Sequence, residues 1–200
     1  MNIFLISGFA GAGKSTVAKA LQTLRPAAKI TAFAKHVKDF VAEKYDIERE
    51  MFETQEGKNK IVESTHGIFT VRDLLILHAE SMKRKHGDDV WVQRVIEEIK
   101  AHPETQEWIL EDWRFSNEYN VLRTVFSGTG IHRIRVINNN SEPYNKAEEC
   151  IAKEPIHCII DNTNHDCEKQ LEQFHSEVPS PLKGISPPFV TPLMKSKNID

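Results

Sequence analysis

The 200-residue chain predicts an α/β fold in which a parallel sheet carries helices on both faces. Three observations point there. Apolar runs of strand length alternate with segments of helical period. Gly8-Phe9-Ala10-Gly11-Ala12-Gly13-Lys14-Ser15 satisfies G-x-x-x-x-G-K-[ST] and stands between the first strand and the first helix, the order this phosphate-binding loop requires. Glu111-Asp112 follows directly on the third strand, at the carboxyl end of the sheet, where such folds bind ligands.

Asn2 to Ser7 is a short apolar run that reads as a buried parallel strand. Val17, Ala20, Leu21 and Leu24 then fall at i, i+3, i+4 and i+7, a helical stripe that Pro26 stops. Lys29 to Phe33 reads as the second strand. The next helix places Val37, Phe40, Val41 and Tyr45 on one face. Residues 46 to about 67 are polar and charged, anchored by Met51, Phe52, Ile61 and Val62, which suits short mobile helices at a site more than a core element.

Thr70 is a good N-cap, with Asp73 three residues on where a capping acid belongs. Val71, Leu74, Leu75, His78 and Met82 line the buried side of its helix. Asp88 or Asp89 caps another, in which Val92, Val95, Ile96 and Ile99 are apolar. Trp108 to Leu110 is the third strand, and a helix from about Ser116 follows with Tyr119, Leu122 and Val125. Ile131 to Ile137 is the fourth strand. Ile156 to Ile160 is the fifth, followed by a helix holding Cys167, Leu171 and Phe174.

This organisation predicts one domain over residues 1–177, with inserted segments at about 46–69 and 138–152. Residues 178–200 hold five of the nine prolines, at Pro179, Pro181, Pro187, Pro188 and Pro192. That density predicts an extended or disordered tail, with a packed arm or partner-binding segment as the alternative. The net charge of -3 and a pI near 6.3 give no global reason to expect nucleic-acid binding. No apolar run is long enough to span a membrane and the chain opens on a strand, so a cytoplasmic protein is expected. Cys150, Cys158 and Cys167 match no zinc spacing, and the nine histidines are scattered, so the expected metal arrives with a nucleotide.

Each part of the loop has a physical task. Gly8, Gly11 and Gly13 let the backbone turn tightly and approach phosphate, and Ala10 and Ala12 complete the cradle. The helix N-terminus favours an anion there. Lys14 is expected on the β- and γ-phosphates, the Ser15 hydroxyl on Mg²⁺, and Thr16 near the α-phosphate. Asp112 occupies the place of a magnesium-side acid.

Three clusters could complete a site: Arg72 with Arg84 on the Thr70 helix, Asp88-Asp89-Val90-Trp91, and Asp112 to Glu118. Arginines suit a phosphate, and an aromatic wall suits a base. Plainer readings stand beside these. Arg72 could be a solvated helix residue, Trp91 a core residue, and Arg114 with Glu118 an ion pair four apart. Lys35 and Lys38 begin the helix after the second strand, as acceptor contacts or as solvated lysines.

Ile109-Leu110-Glu111-Asp112-Trp113-Arg114-Phe115-Ser116-Asn117-Glu118 resembles the hydrophobic-x-D-x-R-F-x-N-E segment of bacteriophage-type deoxynucleoside monophosphate kinases. Thr70 to Leu75, Arg84 and Trp91 are similar to that family's R-x-L-L helix, later Arg and D-x-x-W. Ile159 to Asn162, with Leu171, is similar to its last strand and helix. The likeness runs from residue 1 to about 175.

The resemblance implies the P-loop kinase fold with strand order 2-3-1-4-5, phosphoryl transfer from ATP-Mg²⁺ to a deoxynucleoside monophosphate, and a possible homodimer. It implies catalytic roles for Lys14, Arg72, Arg84, Asp112 and Arg114. For such a reaction the expected acceptor contacts are Arg72, Arg84, Trp91, Asp112, Arg114 and Glu118, with Lys35 and Lys38 added from their position after the second strand. Mg²⁺ would be held by Ser15 and, directly or through water, Asp112. Residues 46–69 would be an acceptor-side lid and 138–152 a second lid. The chain departs from the family pattern in carrying Ser15 where many members have Asp, Ala79-Glu80 where Gly-Thr is common, and Asn139-Asn140-Ser141-Glu142 in place of H-x-S-E. A kinase of another small phosphorylated metabolite, phosphomevalonate-like, and a regulatory ATPase remain open alternatives.

Overall fold

β1 (Asn2–Ser7) is buried along its whole length and forms the middle of the sheet. The protein is described from a computed structural model covering residues 1–64, 67–141, 151–164 and 166–181. The proline tail from 182 and most of the 138–152 segment, with Glu142 and Cys150, lie outside the described residues. β1 pairs in parallel with β5 (Glu107–Leu110) on one side and β6 (Gly130–Ile137) on the other. β2 (Lys29–Thr31) and β7 (Cys158–Asp161) complete the edges, also in parallel.

The strand order is β2-β5-β1-β6-β7. These numbers differ from the expected 2-3-1-4-5 because an antiparallel hairpin, β3 (Ile61–Ser64) and β4 (Gly67–Thr70), takes two of them. The hairpin stands outside the main sheet and was not expected. It follows a 3₁₀ turn over Arg49–Phe52 and a short α3 (Gln55–Lys58).

Alternation along β1 separates the layers. Phe4 and Ile6 face α1 (Lys14–Leu24) and α7 (Glu168–Glu177), packing with Val17, Leu21, Leu171 and Phe174. Ile3 and Leu5 face α5 (Val90–Ala101) and α6 (Ser116–Val125), packing with Val95, Ile96 and Leu122. A third apolar cluster joins α2 (Phe33–Tyr45), α4 (Val71–His86) and the turn at Phe52 beside the carboxyl end of the sheet. Phe40 and Val125, expected on buried helix faces, are 38% exposed.

Local chemistry explains two boundaries. Thr70 and Asp73 form a reciprocal capping box: the Thr70 hydroxyl accepts the Asp73 N–H at 3.1 Å, and Asp73 accepts the Thr70 N–H at 3.0 Å. β2 ends at Thr31, and Phe33, expected as its last residue, begins α2 instead. Ala32 at the N-cap has no side-chain acceptor, so the cap comes from afar. Asp112 takes the Phe33 and Ala34 amides, each at 2.8 Å, one on each oxygen. Among the described residues, no helix is long and apolar enough to cross a membrane.

Candidate functional site

The loop from Gly8 to Gly13 leaves the carboxyl end of β1 and turns into α1, which begins with no side-chain cap and no acid in its first turn. The positive end of the helix dipole is therefore not offset by a cap or an acid of its own first turn. Two glycines are demanded by their surroundings. A Cβ on Gly8 would come within 2.5 Å of the Val136 carbonyl oxygen. A Cβ on Gly13, at φ 91°, would come within 2.0 Å of Asn162 Nδ2. The crowding at Gly13 comes from the protein behind the loop.

Lys14 Nζ donates to the carbonyls of Gly8 at 2.8 Å and Phe9 at 2.9 Å. Ser15 and Thr16 are exposed on the first turn of α1. Gly11 and Ala10 are exposed at the loop's crest. Ala12, expected beside the phosphates, is fully buried, and its amide donates to Phe9 O at 3.1 Å. It serves the loop as packing.

A cleft of about 390 Å³ runs from Ala10 along α2, α4 and the Asp112–Glu118 segment. It brings together Lys38, Arg72, Trp91, Asp112, Arg114 and Glu118, six of the eight residues expected on the acceptor side. Lys35 and Arg84 are not among its walls. Lys35 turns to α5 and pairs with Glu98. On α4 the cleft stripe is Arg72, Leu75, Ile76, Ala79 and Lys83, which follow i, i+3, i+4, i+7 and i+11. Arg84 lies one step off that stripe and is exposed. Lys83 takes the place expected of it, with its ammonium 4.3 Å from the centre of the Phe115 ring.

Lys58 of α3, missed in the sequence, joins Lys38, Arg72 and Arg114 in the cleft. Burial lowers the Lys58 pKa, and the charges of Lys38, Arg72 and Arg114 lower it further. Glu53 is the carboxylate that pairs with this group, through Lys38 at 3.0 Å. Arg72 donates to Gln55 Oε1 at 2.5 Å, a neutral partner. Asp88 and Asp112 also line the cleft, and against them and Glu53 the cations Lys38, Lys58, Arg72, Lys83 and Arg114 still leave a local excess of positive charge that an anion would offset. Thr54 caps α3 through the Gly57 amide, but a four-residue helix in a polar stretch carries no periodic signal that would single out Lys58.

Trp91 is 7% exposed and donates from Nε1 to Ala79 O at 3.3 Å, so it forms floor and core more than a ring platform. Phe115 is 37% exposed and presents its ring to the cleft. Asn117 Nδ2 donates to Asp89 Oδ1 at 2.9 Å, which diverts Asp89 from capping α5.

Glu118 does not pair with the Arg114 guanidinium. Its Oε2 accepts the backbone amides of Arg114 at 2.9 Å and Phe115 at 3.1 Å, closing the start of α6. Burial pushes its pKa up to about 8, with the nearby Asp112 charge adding to the rise against the two amides. Asp112 itself is bound on both oxygens to α2. Among the described residues, no group of three His, Cys, Asp or Glu side chains is placed to hold a metal ion. Cys158 and Cys167 are free thiols.

No protein-family model matches the chain, and no curated protein matches it. Among solved structures, it is similar to an unliganded sugar kinase from Janibacter sp., at 12% identity over 88% of this chain and 93% of that one, with a TM-score of 0.43. At that TM-score the likeness carries no argument for activity.

Proposed function

We infer that the chain is a phosphotransferase that moves the γ-phosphoryl group of ATP to a deoxynucleoside monophosphate, giving the diphosphate and ADP. The observation that carries this reading is a single cleft that begins at Ala10 of the phosphate loop and holds Lys38, Lys58, Arg72 and Arg114. A loop of this motif accounts for one phosphate-bearing ligand. A second cationic cluster in the same cleft supports a partner that already carries a phosphate.

The chemistry asked of the protein is positioning and charge neutralisation. An oxygen of the acceptor phosphate forms the new bond to the γ-phosphorus as the bond to the bridging β–γ oxygen breaks, and that oxygen leaves on ADP. Lys14 would turn from the loop carbonyls to the donor phosphates. Arg72, Arg114, Lys38 and Lys58 would orient the acceptor phosphate and hold its repulsion with the donor in check. The uncapped start of α1 and the exposed Ser15 hydroxyl on it fit a nucleotide with its Mg²⁺. Ser15 would hold that ion, Asp112 reaching it at most through water, and the ion would neutralise charge on the donor phosphates. The Asp112 link to α2 also fixes the helix that carries Lys38.

Beyond the cations the cleft is lined by Leu75, Ile76, Ala79 and the exposed ring of Phe115. That wall favours a flat base over a small aliphatic phosphate such as a phosphomevalonate-like acceptor. A coupled ADP-release assay with dAMP, dGMP, dCMP, dTMP and dUMP tests the reading. Acceptor-dependent turnover with at least one of them is expected. Turnover only with a small phosphorylated metabolite would keep the kinase and reject the nucleotide, and slow hydrolysis indifferent to every acceptor would reject both.

A further inference from the structure

Asn162 stands at the carboxyl end of β7 and is 1% exposed. Its backbone is held on both sides: the N–H donates to Ile137 O at 2.9 Å, and the carbonyl accepts Asn138 Nδ2 at 3.4 Å. Its side chain reaches behind the phosphate loop, where Nδ2 donates to Ala12 O at 3.1 Å. The same nitrogen occupies the space that a Gly13 side chain would need. Its Oδ1 is buried without a hydrogen-bond partner among the described residues.

We propose that Asn162 is a positioning residue of the donor site, a carboxamide strut that sets the phosphate loop from behind and ties it to the ends of β6 and β7. The proposal rests on the reading of Gly8 to Ser15 as a nucleotide site. The physical argument is one of geometry and cost. A loop whose residues must approach phosphate cannot be held from the phosphate side, so its support comes from the rear. Val136 backs the loop at Gly8, and Asn162 makes the rear contacts at Ala12 and Gly13. Thr163 continues the connection, its hydroxyl accepting the Asn139 N–H at 3.1 Å. A buried carbonyl acceptor without a donor is costly. The bond that offsets part of that cost is the one from Nδ2 to Ala12 O, so the amide end is the part of the side chain that engages the loop.

The substitutions that separate this role from ordinary packing are Asn162→Ala and Asn162→Asp. Asn162→Asp is isosteric, but its carboxylate faces the Ala12 carbonyl with no donor and puts negative charge behind an anion site. ADP binding is measured by calorimetry, alongside steady-state kinetics with saturating acceptor. Wild type binds ADP. Asn162→Ala is expected to weaken ADP binding and raise the KM for ATP by about tenfold, leaving kcat and the acceptor KM within about twofold, the scale of one lost hydrogen bond to the loop.

Asn162→Asp is expected to lose more at neutral pH and to recover part of its ADP affinity on acidification, as the protonated carboxyl regains a donor for Ala12. Packing alone would not produce that recovery. Wild type failing to bind ADP would reject the donor-site reading itself. Wild type binding ADP while both variants bind it equally well would overturn the role of Asn162. Parallel losses in kcat and in both KM values, or failure of both variants to fold by circular dichroism, would make Asn162 a general structural residue and overturn it also.

Discussion

At the amino end of the sheet, Arg25 and Glu107 are buried together, each 2% exposed, with an N···O distance of 2.5 Å. Asn2 adds a donor to Glu107 at 3.3 Å, and the Arg25 guanidinium also reaches Val178 O and the ring of Phe4. At the carboxyl end, Lys38, Lys58, Arg72 and Arg114 face a cleft, and the carboxylate paired with them is Glu53, 57% exposed on its side chain. The first cluster is charge-balanced and closed. The second is unbalanced and open. Burying a pair makes each partner dependent on the other, while crowding like charges at a surface makes the group dependent on something outside the protein. The contrast separates charge that holds the chain together from charge left open to solvent, which the proposed function assigns to a ligand.

Substitutions at the two ends should therefore fail in different ways. The largest expected effect is that of Lys14→Ala, which lowers turnover by on the order of 10³-fold while the melting profile is kept. Glu107→Ala should do the reverse. It leaves Arg25 buried without its counter-charge and costs about 3–5 kcal/mol of stability in a urea titration, with no change in acceptor KM for the folded protein. Arg114→Ala should lower kcat/KM for the acceptor by about 10- to 100-fold and shift stability by no more than about 0.5 kcal/mol. If Arg114→Ala cost as much stability as Glu107→Ala, the distinction between the two ends would collapse.

Protonation gives two finer tests. The neighbouring cations and burial set the Lys58 pKa below the ordinary lysine value, so this side chain loses its charge earlier than a solvated lysine as pH rises. The acceptor KM should climb on the alkaline side, and Lys58→Arg, which stays charged, should flatten that climb. Glu118 has the opposite sense. Its pKa of about 8 in the folded chain lies above its unfolded value of 4.5. Its contribution to stability is complete below 4.5 and is lost as pH rises through 8. Glu118→Gln keeps an acceptor for the Arg114 and Phe115 amides without titrating, so its stability should vary less across that window. The smallest expected effect is that of Arg84→Ala, off the cleft stripe of α4, with under twofold change in acceptor KM.

What the sequence disclosed follows from range. The β1 strand, the glycine loop and α1 are contiguous, and each signal sits within a few residues of the next. The Thr70–Asp73 cap is likewise a four-residue pattern. Asp112 was visible as an acid at a strand end, but its partners Phe33 and Ala34 lie 79 and 78 residues away, and only the β2–β5 pairing brings them together. A strand-end acid looks the same in one dimension whether it faces a metal or caps a neighbouring helix.

Arg84 and Lys83 differ by one residue, which is about 100° of helix, so the arginine that suits a phosphate by chemistry falls off the cleft face that the lysine occupies. The β3–β4 hairpin is only four residues per strand, too short for alternation to stand out, and Thr70 at its end was already claimed as a cap. Lys58 lay in a polar stretch where no periodicity marks a face. Asn162 could be named as a strand-end residue but not as the neighbour of Gly13, 149 residues earlier in the chain.

The claim that the open cationic cluster exists for an acceptor phosphate is tested most directly by pairing each deoxynucleoside monophosphate with its parent nucleoside in one ADP-release assay, at fixed ATP and Mg²⁺. The account predicts turnover with at least one monophosphate and none above background with the matching nucleoside, and loss of that difference in Arg114→Ala. Equal turnover with the nucleoside and its monophosphate would contradict it.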